Sequence, residues 1–265
     1  MHGCHRWWDV HTSLMRRLMR EAQMKGGVIL FRGSGAAGRR YVEADRSRAD
    51  EYYLGADDAV AEYAVLDGNG EVAATRSLTA DEYEAWVDWI NPDTGESMGT
   101  PRAAAEGTKG SPLFAEMTIN AAKSLSVAAA LHPEVSEALD IAQQDALAEI
   151  RRWLGRHSVT RVGPRDAREV VPIEHMQVVG IRHKTSRAGD PHRHIHMQIG
   201  TRIFAAGKWR ALDTAALFKQ QGAIRALGTA VIAAHPQLAQ TLAGHGLILD
   251  PASGEVVELE PFNAV

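Results

Sequence analysis

The sequence predicts an α+β fold: an antiparallel β-sheet flanked by helices, in a two- or three-layer sandwich. Three observations carry this. Strand-like runs come in pairs around turn residues, long helical periodicities stand between them, and no regular βαβ alternation points to a parallel sheet. The chain has 265 residues, 45% hydrophobic and 23% charged, an ordinary globular balance that suits one large domain. Its single cysteine, Cys4, excludes a disulfide framework and a cysteine zinc site, and fits a reducing cytoplasm. No apolar run is long enough to span a bilayer, so no membrane insertion is expected. The formal charge of −4 argues against a generic basic coat for nucleic acid, although a local cationic groove stays open.

Taken in order, residues 1–23 differ from the rest. They hold two tryptophans and three histidines but no apolar stretch with a cleavage site, so they are not a signal peptide. We expect them to be a poorly ordered extension, with the domain proper over residues 24–265. Gly27 to Arg32 reads as a buried strand, ended by a Gly33-Ser34-Gly35 turn into a helical segment over Ala36 to Leu54. The glycines there lack the lysine and spacing of a phosphate-binding loop. Ala61 to Leu66 and Glu71 to Ser77 flank Asp67-Gly68-Asn69-Gly70, a strong hairpin signal. Thr79 caps a helix over Asp81 to Ile90, whose Trp86 and Trp89 suit core packing better than stacking on bases. Asn91 to Ser111 is a long loop, which suits a strand-clamping or lid role or simple mobility.

Glu116 to Asn120 reads as a strand leading into a helix over Ala122 to Leu131. Pro133 opens a longer helix to Leu154, with Val135, Leu139, Ala142, Leu147, Ile150 and Leu154 on one side. Arg151, Arg152, Arg156, Arg161, Arg165 and Arg168 follow as a basic run, read as a solvated face or a phosphate track. Helices over Thr214 to Ala233 and Pro236 to Ala243 and a hairpin over Leu247 to Glu260 complete the pattern.

The informative stretch is His183 to Asp213. His192, His194 and His196 stand at every second position, so on a strand they share one face; on a helix they would scatter. The run His175 to His183 is a second strand, and the polar Lys184 to Pro191 connects the two as a hairpin. Folding it brings His183 beside His194 and His196. Three such imidazoles suit a divalent metal with coordination positions left open. His192, one strand pair further from His196, is the weakest member.

Two segments carry a family resemblance. The first is Arg182-His183-Lys184-Thr185-Ser186-Arg187-Ala188-Gly189-Asp190-Pro191 with His194-Ile195-His196, followed by Gly207-Lys208-Trp209-Arg210-Ala211-Leu212-Asp213. The second is Glu116 to Ser126 (EMTINAAKSLS). Together they resemble the MobF class of conjugative relaxases, which belong to the HUH endonucleases. The resemblance implies the same sandwich fold and a metal-assisted nick in single-stranded DNA at a plasmid or element transfer origin. It implies a tyrosine nucleophile and a 5′-phosphotyrosine intermediate. The tyrosines in question lie shortly after the first strand: Tyr41 is the leading candidate, with the pair Tyr52 and Tyr53 close behind. Glu116 stands where the family usually has aspartate, and would orient a histidine or take the phenol proton. The expected DNA contacts are Arg39, Arg40, Lys123, Lys184, Arg187, Arg193, Lys208 and Arg210. The family works with magnesium or manganese, while imidazoles by affinity favour zinc, nickel or copper. Relaxosome and type IV secretion components are the implied partners, and a chain of this kind would be the front end of a larger relaxase-helicase. Three other readings stand beside it. One is a rolling-circle replication initiator of the same superfamily; one is a DNA-binding module with a structural metal. The last is an oxygenase or hydrolase acting on small molecules, with Glu116 or Asp190 as a carboxylate ligand.

Overall fold

The computed structural model describes residues 27–45, 61–164, 166–186 and 188–264. The extension expected over residues 1–23 lies outside them. A seven-stranded sheet organises the rest. Its strands are β1 (Ile29–Phe31), β2 (Ala61–Asp67), β3 (Val72–Leu78), β4 (Phe114–Asn120), β7 (His175–Thr185), β8 (Pro191–Ala205) and β9 (Lys208–Ala211). The order is β1-β4-β8-β7-β2-β3, with β9 on the far end of β8, and every pairing is antiparallel. The expected α+β sandwich is therefore present, with helices on both faces.

One face carries α3 (Lys123–Leu131), α4 (Pro133–His157), α5 (Thr214–Ala233) and α6 (Pro236–Gly244). Pro133 opens α4 at a position whose N–H needs no helical partner. All six predicted apolar positions of α4 are buried, and they meet Ile195, Met197 and Ile199 of β8. The opposite face carries α1 (Gly35–Asp45) and α2 (Ala80–Val87), packed over Tyr63, Phe114, Val179 and Ile181. Thr79 caps α2 through a capping box with Glu82. Glycine sets how closely α1 can lie on α2: a Cβ at Gly35 would fall 2.2 Å from the Glu84 carbonyl, and the Gly35 N–H donates to Asp88 Oδ1 at 2.8 Å.

Four expectations need correction. The first strand is an edge, not buried: β1 pairs with β4 alone and leaves Ile29 52% exposed. Helix α2 stops at Val87, because Trp89 takes a positive φ of 68° to turn its ring inward. The final hairpin is a single bridge between Leu249 and Val256. Beyond it the chain turns into a 3-10 segment (Val257–Ala264) and packs on α3, where Asn263 accepts from the Ser124 N–H. The basic run begins inside α4, and the part beyond that helix contains a small two-stranded sheet, β5 (Val159–Val162) with β6 (Glu169–Pro172), which its arginines masked.

The hairpin between β2 and β3 is held against α4 by two glycines. Gly70 has φ +83° and approaches the Arg152 carbonyl, and a Cβ on Gly155 would fall 2.4 Å from Gly70 Cα. Glycine to alanine in a helix is ordinarily stabilising by about 1 kcal/mol. Here the collision reverses the sign: Gly155→Ala is expected to destabilise the protein by about 1–3 kcal/mol, measured by urea unfolding. A stabilised variant would contradict this packing.

Candidate active site

The site lies on the α1/α2 face of the three central strands. Side chains alternate along a strand, so His194, His196 and Gln198 of β8 share that face with Glu116 of β4 and His183 of β7. The register sets their neighbours: His183 opposes His194, Thr118 opposes His196, and Glu116 opposes Gln198. The histidine cluster expected from the sequence is thus formed. Its ring centroids lie 5.2 Å apart for His183 and His194, 5.1 Å for His183 and His196, and 5.0 Å for His194 and His196. The His192 ring lies 4.7 Å from His194 and is only half-buried.

Spacing and donor chemistry fit a metal. A metal–nitrogen bond of about 2.1 Å and near-tetrahedral angles place neighbouring imidazole centroids about 5 Å apart. The Nδ1 of His194 donates to the His192 carbonyl at 2.9 Å, and the Nδ1 of His196 donates to Glu116 Oε1 at 3.0 Å. Each contact places the proton on Nδ1 and leaves Nε2 as the ligating nitrogen, as outer partners of metal-bound histidines do. Burial pushes His194 down to about 3, with the neighbouring imidazoles adding to the effect, so it is neutral at physiological pH. Orientation is less advanced. His183 and His194 are within 14° of parallel, and stacked rings do not aim their lone pairs at one point. Among the described residues no three His, Cys, Asp or Glu side chains stand in a ready-made ligand arrangement. The rings are spaced as a metal would need, while the near-parallel His183 and His194 are not both aimed at one point.

Glu116 is the hub of the site. It is buried, and burying a carboxylate is costly unless donors surround it. Its Oε1 accepts from the Tyr41 hydroxyl at 2.8 Å as well as from His196, and its Oε2 accepts from the Gln198 amide at 3.0 Å. Tyr41 projects from α1 with its ring edge-on to His196, the centroids 6.3 Å apart. A phenol, a carboxylate and a histidine therefore share one oxygen. Glu116 touches the Nδ1 side of His196, away from the nitrogen left for a metal, which is a supporting position and not that of a ligand. Tyr52 and Tyr53 lie outside the described residues.

The cations expected at the DNA divide differently. Arg193 is buried on the other face of β8, where it binds Asp140 at 3.1 Å and the Ser136 hydroxyl. The alternation that gathers the histidines turns Arg193 away from them, so it ties the sheet to α4 and is not placed as a DNA contact. Lys184 shares that face, 3.9 Å from Asp140. Arg39 bonds Glu43 and Glu84, so carboxylates already hold this guanidinium expected at the DNA. Arg210 donates to the Ala205 carbonyl at the β8–β9 turn, and Lys208 is exposed beside it. That turn is nine residues past His196, about 30 Å of extended strand, too far for a contact at the cut. Arg40 is exposed on α1 next to Tyr41, and Lys123 opens α3 three residues beyond Asn120, the cross-strand partner of His194. Arg187 lies outside the described residues. Of the basic run that begins inside α4, four described members are engaged within the protein: Arg151 pairs with Glu62, Arg152 with Glu149 and Arg161 with Asp213, while Arg156 donates to the Asn69 carbonyl. Gln198 and Tyr83, whose hydroxyl donates to Gln198 Oε1 at 2.8 Å, were not anticipated. The period-two reading of the histidines, carried two residues further, reaches Gln198; nothing in the sequence pointed to Tyr83.

No curated protein matches the chain. Solved structures do. A conjugative relaxase TrwC in complex with oriT DNA, in a copper-bound form, superposes with a TM-score of 0.64 at 19% identity, over 90% of this chain and 79% of that one. A metal-bound TrwC–oriT complex gives 0.61 at 21% identity, over the same shares of the two chains. TrwC with a 27-mer DNA comprising the recognition hairpin and the cleavage site gives 0.59 at 21%, over 90% and 78%. At these identities the likeness is one of fold. The sequence itself matches the TrwC relaxase family over residues 35–263, from the first turn of α1 to the final 3-10 segment, and the chain belongs to that family.

Proposed function

We propose that this relaxase nicks single-stranded DNA at a transfer origin by transesterification, with Tyr41 as the nucleophile and Glu116 as its base. The observation that carries the reading is the 2.8 Å bond from the Tyr41 hydroxyl to Glu116 Oε1, beside the histidine cluster. A tyrosine phenol has a pKa near 10, so about a thousandth is phenolate at neutral pH, and attack needs a proton acceptor in place. Glu116 supplies one. Tyr41 Oη bonds to phosphorus while its proton passes to Glu116 Oε1. The bond from phosphorus to the 3′-oxygen breaks, and that oxygen leaves with a proton from solvent as a 3′-hydroxyl. The product is a 5′-phosphotyrosine, which keeps the phosphoester for resealing.

His183, His194 and His196 would hold a divalent cation here. Such an ion would supply charge neutralisation for the phosphate in the transition state. Magnesium or manganese is the ion we assign to the reaction, with zinc, nickel or copper the tighter binders at imidazoles. His196 serves two sides at once, since the Nδ1 contact that fixes its ring also positions Glu116 against Tyr41. Arg40 and Lys123, on elements flanking the cluster, are the cations best placed along the DNA. Among the described residues no helix is long and apolar enough to cross a membrane.

Two outcomes test this. Tyr41→Phe keeps the ring but removes the hydroxyl, so oligonucleotide affinity should hold while the SDS-stable DNA adduct disappears. A phosphotyrosine mapped to the peptide holding Tyr52 and Tyr53 would overturn the assignment. His194→Ala should lower manganese affinity by about tenfold or more in calorimetry, and an unchanged isotherm would remove the histidines from the metal site.

A further inference from the structure

The mechanism above uses one oxygen of Glu116. The other has its own partners, and these lead away from the reacting groups into the core under α2. Gln198 is fully buried, and its Nε2 donates to Glu116 Oε2 at 3.0 Å; the Tyr83 hydroxyl, also buried, donates to Gln198 Oε1 at 2.8 Å. We infer that Gln198 and Tyr83 are positioning residues for the cleavage, a two-member relay that fixes the carboxylate of Glu116 so that Oε1 faces Tyr41 and His196. The inference rests on the reading of Glu116 as the base.

A carboxylate only accepts, so the amide of Gln198 must present its NH2 to Glu116. The flipped amide would set Oε1 against the carboxylate, two acceptors face to face. Tyr83 selects the correct orientation by offering a proton to Oε1. Burial raises Tyr83 above the ordinary tyrosine value, with the charge of Glu116 adding to it, so its hydroxyl stays a donor. The backbone gives the relay a fixed base. Glu116 and Gln198 are direct cross-strand partners, and Tyr83 lies on the capped helix α2, whose Trp86 donates to Gln177 at 3.1 Å. Glutamate has one more rotatable bond than aspartate, so a glutamate base has more freedom to be wrongly placed. Oε1 must meet two donors, at 2.8 and 3.0 Å, and a carboxylate turned about its last bond would lose one of them. Holding Oε2 removes that freedom.

The test uses the full chain, manganese, and the labelled single-stranded oligonucleotide from a transfer-origin panel that gives wild type its fastest adduct. Gln198→Leu should slow single-turnover adduct formation at saturating DNA by about tenfold, as loss of a supporting partner does. Tyr83→Phe removes one hydroxyl and should slow it by about fivefold, the worth of one hydrogen bond. In both, the half-saturating oligonucleotide concentration should stay at the wild-type value. In a Glu116→Gln background, adding Gln198→Leu should cost nothing more, because the group it positions has gone. If Gln198→Leu does not fold, Tyr83→Phe alone decides. Variants that react at the wild-type rate, or losses that simply multiply in the double variant, overturn the relay while leaving Tyr41 and Glu116 in place. No adduct from wild type on any oligonucleotide of the panel would overturn the reaction itself, and the relay with it.

Discussion

The site is built around one buried carboxylate. Glu116 sits in the middle of a sheet face, where a charge is tolerated only if its oxygens are filled by donors. The donors come from separate places: Tyr41 from α1, His196 and Gln198 from the neighbouring strand. Meeting the needs of the carboxylate therefore also docks α1 onto the sheet and fixes the tautomer of a histidine. In the proposed mechanism, the contacts that satisfy the carboxylate are also the ones that would assist the reaction. Oε1 has two donors, so losing one leaves the other, whereas Oε2 has the Gln198 amide as its donor.

The strands around Glu116 do two jobs on two faces. On β7 and β8, His183, His194, His196 and Gln198 face α1 and α2, while Arg182, Lys184 and Arg193 face α4 and gather on Asp140. The pleat alone makes this division, since neighbours in sequence point to opposite sides. It lets a strand rich in both histidine and arginine keep its cations away from the histidine cluster, where like charges would disfavour a bound cation. The same division explains the length of α4: its apolar stripe covers the back of the strands that carry the chemistry, and any slip of register would bury the wrong set.

Much of this was legible in the sequence because it depends on period. The alternating histidines, the Asp67 to Gly70 hairpin, the Thr79 cap and the stripe on α4 are local patterns and formed as read, although the helix that Thr79 caps ends at Val87 and not at Ile90. What was not legible depends on contacts between distant segments. Tyr83 and Glu116 meet through Gln198, and 115 residues separate Tyr83 from Gln198; no periodicity announces such a pair. The cations were the poorest guide. Helix spacing offers Arg39 its Glu43 and Arg152 its Glu149, but Arg151 and Arg161 found carboxylates in distant segments, Glu62 and Asp213. Arg193 was misjudged although the rule that placed it was already in use for His192, His194 and His196.

The central claim is that the carboxylate of Glu116 takes the phenol proton of Tyr41. The most direct measurement is the single-turnover rate of adduct formation by Glu116→Gln at saturating oligonucleotide and manganese. The substitution keeps the size of the side chain and removes its capacity as a base. A fall of about a hundredfold or more with unchanged DNA affinity is the predicted result. A rate within twofold of wild type would contradict the account.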